Sequence, residues 1–138
     1  MPIVTGRDSP DTFDAPQPDR LMRVTATPIG SAVVVEVVGE LDLSTAPELM
    51  ATIDDALARP GLTLVIIDLS LVEFLGSSGL GVLANSATRA TGPGHPAVAL
   101  RVVAPAEHRP VTRPWEAMTM QQILPLYPTT AAALSAPT

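Results

Sequence analysis

Ser77 and Ser78 are the side chains best placed to do chemistry in this chain. They stand between the apolar run Thr63-Leu64-Val65-Ile66-Ile67 and a helical repeat of Leu80, Leu83, Ala84 and Ala87. A serine at such a junction is a nucleophile in hydrolases, but that elbow needs the order Gly-x-Ser-x-Gly. Ser77 would need glycine where Leu75 stands, and Ser78 would need it where Leu80 stands. Gly76, Gly79 and Gly81 are spaced Gly-x-x-Gly-x-Gly, which is not the dinucleotide fingerprint, and the chain has no lysine for a Walker-type loop. What the pair can do is cap a helix or accept a phosphate. A hydroxyl there faces the unpaired N–H groups of the first turn, and a phosphate would meet the positive end of the helix dipole.

Other candidates are weaker. Asp54 and Asp55 read as the solvated face of a helix rather than a catalytic dyad. His95 and His108 are isolated in Pro-rich surroundings, without metal-ligand spacing, and cysteine is absent. No metal or cofactor is expected, and no enzyme.

The elements that must position the serines follow from periodicity. Leu21–Thr27 and Ala32–Val38 read as strands joined by Pro28-Ile29-Gly30-Ser31, a hairpin. Thr45 and Glu48 form a Thr-x-x-Glu capping box, with Pro47 in the first turn of a helix that Pro60-Gly61 ends. A strand over Thr63–Leu69 leads through a loop to the serines, and either Ser77 or Ser78 caps the next helix. Thr91–Pro96 is a turn and Ala97–Val103 a further strand. Pro105, Pro110 and Pro114 restrict the third helix to about Pro114–Met120. Ile123–Tyr127 reads as a short edge strand, and Thr129 or Thr130 caps a last small helix through Leu134. Alternation of strand and helix implies parallel pairing with right-handed crossovers. The fold class is α/β: a mixed sheet of four or five strands with helices mainly on one face.

Composition narrows the class further. The 138 residues suit one domain, and the net charge is −6 with a pI of about 4.6. With eight scattered arginines and 3% aromatic residues, the chain lacks the basic surface and stacking platform of a nucleic-acid binder. Residues 1–20, rich in Pro and Asp, read as a disordered tail before a domain over 21–135. No secretory signal or membrane-length apolar run is present, so a cytoplasmic protein is expected.

A second signature, Val35-Glu36-Val37-Val38-Gly39-Glu40-Leu41-Asp42-Leu43-Ser44-Thr45-Ala46-Pro47-Glu48-Leu49, accompanies the serine motif. Together they resemble the STAS family, specifically the stand-alone anti-sigma factor antagonists of bacteria. The resemblance runs from about Met22 to Leu134 and is strongest through Leu83. It implies a partner switch in transcription control. The unphosphorylated protein binds an anti-sigma factor, often a serine kinase, and frees the sigma factor. Phosphorylation within Asp-Ser-Ser-Gly ends binding, and a serine phosphatase restores it. By this resemblance Ser77 is the phosphoacceptor, with Ser78 second, and Asp42, Ser44, Thr45, Gly76, Ser77, Ser78, Gly79 and Leu80 share the partner face. Gly76 departs from the family's aspartate. That leaves room for a non-switching interaction module, while the glycines leave room for a nucleotide- or small-ligand-binding domain. Self-association stays open between monomer and weak dimer.

Overall fold

Strings of β-branched residues build a sheet that dominates the molecule. The computed structural model describes residues 22–90 and 98–137. The expectations for residues 1–20 and for the turn at Thr91–Pro96 lie outside the described residues. The strands are β1 (Met22–Ile29), β2 (Ala32–Leu41), β3 (Leu64–Leu75), β4 (Ala99–Val103) and β5 (Leu126–Tyr127). They lie in chain order, with β1 antiparallel to β2 and the remaining pairs parallel. The helices are α1 (Ala46–Leu57), α2 (Ser77–Ala90), α3 (Arg109–Ala117) and α4 (Thr130–Ser135).

Alternation decides which face is covered. Val33, Val35 and Val37 of β2 join Val65, Ile67 and Leu69 of β3 and Val102 of β4 in the main core. Against them pack Leu49 and Ile53 of α1, Leu80 and Leu83 of α2, and Val111 and Trp115 of α3. The opposite face carries a smaller cluster of Ala32, Leu64, Ile66 and Val103, covered by Ala133 of α4. Helices therefore lie mainly on one face, as the pattern implies. An ion pair between Arg89 and Asp54 joins α2 to α1.

The strand β3 is longer than its apolar run predicts, and the extension matters most. The run ends at Leu69, but the strand continues to Leu75. Glu36 pairs with Asp68 but Val38 with Leu71, and Gly39 pairs with Val72 but Glu40 with Phe74. Each mismatch places one extra residue in β3, which is a bulge. Inward side chains normally recur every second residue. Here the step lengthens twice, so Leu69, Val72 and Leu75 all reach the same core. Opposite the second bulge Gly39 takes a φ of 106°, a conformation that side-chain-bearing residues rarely adopt. The broken alternation at Ser70–Leu71 is what disguises this stretch as a loop.

The third helix also differs from expectation. It spans Arg109–Ala117 instead of Pro114–Met120. Pro110 sits in the first turn, where its missing N–H has no helical partner to lose. Pro114 removes one bond, to the carbonyl of the exposed Pro110. That cost, roughly 3 kcal/mol for an interior proline, is offset by burial of Val111 and Trp115. The indole Nε1 of Trp115 donates to the Leu124 carbonyl at 2.9 Å. Thr119, with φ of 52°, ends the segment before a single 3₁₀ turn at Met120–Gln122.

Strand β5 keeps only two of the five residues expected for it. Thr129 caps α4 as expected, accepting the Ala132 N–H at 3.0 Å. Buried Arg101 holds the end of that helix, donating to the carbonyls of Ala133 at 2.6 Å, Ala136 at 3.0 Å and Pro137 at 3.1 Å. A cation at a helix C-terminus is favourable for the dipole.

Candidate functional site

Two loops leave the carboxyl ends of β2 and β3, and both predicted groups of site residues lie there. Leu41 pairs with Leu75, and the Gly76 N–H then donates to the Leu41 carbonyl at 2.9 Å. That bond joins the Asp42–Thr45 turn to the start of α2. Neighbouring strands are about 4.8 Å apart, so the two groups form one surface at one end of the sheet.

Asp42 organises the first loop. Its Oδ1 accepts the Ser44 N–H at 3.0 Å, the Ser44 hydroxyl at 2.8 Å and the Thr45 N–H at 3.2 Å. The Thr-x-x-Glu capping box does not form. Thr45 is the N-cap of α1 without a side-chain cap bond. Its Oγ1 instead donates to the Glu40 carbonyl at 2.8 Å and accepts the Asp42 N–H at 2.9 Å. The hydroxyl is committed inward because the loop turns back on β2 before the helix starts.

The hydroxyl of Ser44, with the Thr45 and Ser44 N–H groups, holds the Asp42 carboxyl below its ordinary value of 3.8; a smaller desolvation effect opposes them. A depressed folded-state value stabilises the fold above the unfolded value, and the benefit is lost as pH falls through the folded one. Melting curves of wild type and Asp42→Asn should therefore differ at neutral pH and converge in acid below about pH 4. A gap that persists unchanged into acid would contradict the hydrogen-bonded carboxylate.

The second loop is short because helix α2 begins at Ser77 itself. Neither serine is the expected N-cap: both lie within the first turn, and Leu80 N–H donates to the Gly76 carbonyl at 3.1 Å. The bulged strand runs on to Leu75, so the chain turns into the helix one residue earlier than a serine cap requires. Among the described residues neither the Ser77 nor the Ser78 hydroxyl has a hydrogen-bond partner. Ser77 is exposed and Ser78 half-buried. No acidic residue occupies the first turn of α2, so an anion on Ser77 would meet backbone donors and the dipole without repulsion from within that turn.

Thr45, Gly79 and Leu80 are buried and shape this surface from beneath, while Asp42, Ser44, Gly76, Ser77 and Ser78 are at least partly open. A side chain added at Gly81 would meet nothing within 4 Å. Gly81→Ala is therefore expected to stabilise the protein by up to about 1 kcal/mol, the helix-propensity difference, as read by urea unfolding.

Sequence reasoning misses two residues of this surface. Leu43 is 79% exposed and Phe74 is 51% exposed, one in the Asp42–Thr45 turn and the other at the end of β3 just before Ser77. A large apolar residue between Asp42 and Ser44 is a visible signal. Phe74 is hidden because its strand reads as a loop. Among the described residues no group of His, Cys, Asp or Glu could hold a metal ion, and no helix is long and apolar enough to cross a membrane.

Known proteins share this fold. The STAS domain family model matches residues 23–133. An anti-sigma-F factor antagonist, RsfB of Mycobacterium tuberculosis, is 41% identical over 66 residues, which are 48% of this chain and 53% of RsfB. The chain thus spans about half the length of that curated relative. The crystal structure of an anti-sigma factor antagonist from Mycobacterium paratuberculosis is similar at a TM-score of 0.73 and 34% identity. That similarity covers 86% of this chain and 95% of the other. SpoIIAA from Bacillus, in its unphosphorylated form, shares the fold at a TM-score of 0.64 and 18% identity, covering 81% of this chain and 93% of SpoIIAA.

Proposed function

The chain belongs to the STAS domain family, and we propose that it is an anti-sigma factor antagonist acting by binding rather than catalysis. With Ser77 unmodified it binds an anti-sigma factor and so releases a sigma factor. The anti-sigma factor is a serine kinase that phosphorylates Ser77, and the modified protein lets go. A serine phosphatase resets the switch. The protein works in the cytoplasm without nucleic acid, membrane, metal or cofactor.

The observation that carries this reading is Ser77 itself. Its hydroxyl is exposed, and without a hydrogen-bond partner among the described residues, at the first residue of a 14-residue helix joined to the Asp42–Thr45 turn. A phosphoserine brings about −1.5 to −2 charge. The helix N-terminus tolerates that charge within the fold, so its effect falls on the partner. The similarity to RsfB and to the Mycobacterium paratuberculosis antagonist supports the choice of partner.

The test begins with the anti-sigma factors of the source organism, purified singly and titrated with this chain by calorimetry. At least one is expected to bind, and incubation with ATP should add one phosphate to wild type and none to Ser77→Ala by intact mass. Binding without phosphate transfer would favour the non-switching module.

A further inference from the structure

Position 76 has no side chain, and the ring edge of Phe74 lies close to where a Cβ would stand. A Cβ built there would lie 3.1 Å from Phe74 Cε2 and 3.5 Å from Cζ. The ring edge thus lies against Gly76, the residue before Ser77, while Phe74 as a whole stays about half exposed. Leu43 projects from the adjoining turn, where the Leu41 carbonyl holds Gly76 N–H. Leu43 and Phe74 are both among the large apolar side chains that the described residues expose, and both belong to the two joined loop regions.

The two chain segments that bear them carry charge of one sign. Residues 40–48 and 71–81 contain Glu40, Asp42, Glu48 and Glu73 and no basic residue. A complementary partner surface is cationic at its rim. Coulomb attraction alone would then make a phosphate on Ser77 strengthen binding. Release requires a stronger opposing effect, and taking a charged group out of water supplies one.

We infer that Leu43 and Phe74 form an apolar seal around Ser77, seated on an apolar patch of the anti-sigma factor that is bordered by basic residues, and that this seal converts phosphorylation into release. The inference rests on the function proposed above. A neutral hydroxyl under the seal costs little, whereas a charge there loses its hydration. Gly76 is part of the device, because a Cβ at that position would press on the ring edge and make it give by a few tenths of an ångström.

Binding of the anti-sigma factor found in the screen is measured by calorimetry for Leu43→Ser and Phe74→Ser, each with and without Ser77→Asp. Both positions are exposed, and thermal melts control for folding. Each serine variant should weaken binding roughly tenfold or more, as a hot-spot truncation does, and Phe74→Leu should restore most of it. In the intact seal Ser77→Asp should cost about 100-fold, and in Phe74→Ser less than about tenfold. An unchanged Ser77→Asp penalty in both serine backgrounds would overturn the seal while leaving the switch standing. Loss of the Ser77→Asp penalty in wild type itself, or no binding by any anti-sigma factor, would overturn the parent reading and the seal with it.

Discussion

Gly79→Val is expected to cost about 3 kcal/mol of stability, the upper range for overpacking a core, and to abolish partner binding. A Cβ at this position would lie 2.6 Å from Leu41 Cγ, 2.9 Å from Leu41 Cδ2 and 2.9 Å from Leu75 Cδ1. Contacts that short do not survive, and neither neighbour has room to retreat. Leu41 is 0% exposed and Leu75 is 4% exposed. The first turn of α2 must therefore lift away from the ends of β2 and β3, carrying Ser77 with it. The contrast with Gly81→Ala, two residues along the same helix, is the informative part. Helix propensity favours replacing glycine at both positions by up to about 1 kcal/mol. Only contact with Leu41 and Leu75 reverses the sign at position 79. Urea unfolding of the two variants reads the difference directly, and a stabilised Gly79→Val protein would refute the packing described.

Ser77→Asp is expected to lower affinity for the anti-sigma factor by about 100-fold, equivalent to about 2.7 kcal/mol, without loss of the fold. Within the chain, a negative charge at the first turn of α2 is favoured by about 0.3–1 kcal/mol through the dipole. The melting temperature should accordingly hold or rise slightly. Across the interface the same charge must leave water, a cost that attraction to basic residues at the rim of the partner's patch does not cover. Ser77→Ala should bind as tightly as wild type and resist phosphorylation. Equal affinities for Ser77→Asp and Ser77→Ala would remove Ser77 from the switch. A drop in affinity accompanied by a fall in melting temperature would mean that the fold, not the interface, had failed.

Much of this architecture is readable from periodicity. Continuous β-branched runs mark β2 and the first half of β3, and helical spacing of Leu49, Ile53 and Leu57 marks α1. The Ser77 junction is readable because strand and helix patterns meet there. The far half of β3 is not, since its two bulges replace a step of two residues by a step of three. No alternation template recognises Leu69, Val72 and Leu75 as one face. Helix α3 is obscured when its prolines are weighed by local cost alone. Burial of Trp115 and its bond to Leu124 form only when distant parts of the chain meet. At the site, the Thr-x-x-Glu pattern suggests a cap, but Thr45 is drawn inward to the Glu40 carbonyl. Leu43 is visible as an apolar residue in a polar turn. The packing of Phe74 over Gly76 depends on where a bulged strand ends, which only the folded chain reveals.

If this chain competes for an anti-sigma factor through its Ser77 surface, phosphorylation of Ser77 must end the competition. A preformed complex of that anti-sigma factor with a fluorescently labelled sigma factor makes this measurable in one titration. Unmodified protein and protein phosphorylated at Ser77, confirmed by intact mass, are added to it while anisotropy reports free sigma factor. Stoichiometric release by the unmodified protein is expected, with none by the phosphorylated form at the same concentration. Equal release by both forms, or release by neither, would contradict the proposed switch.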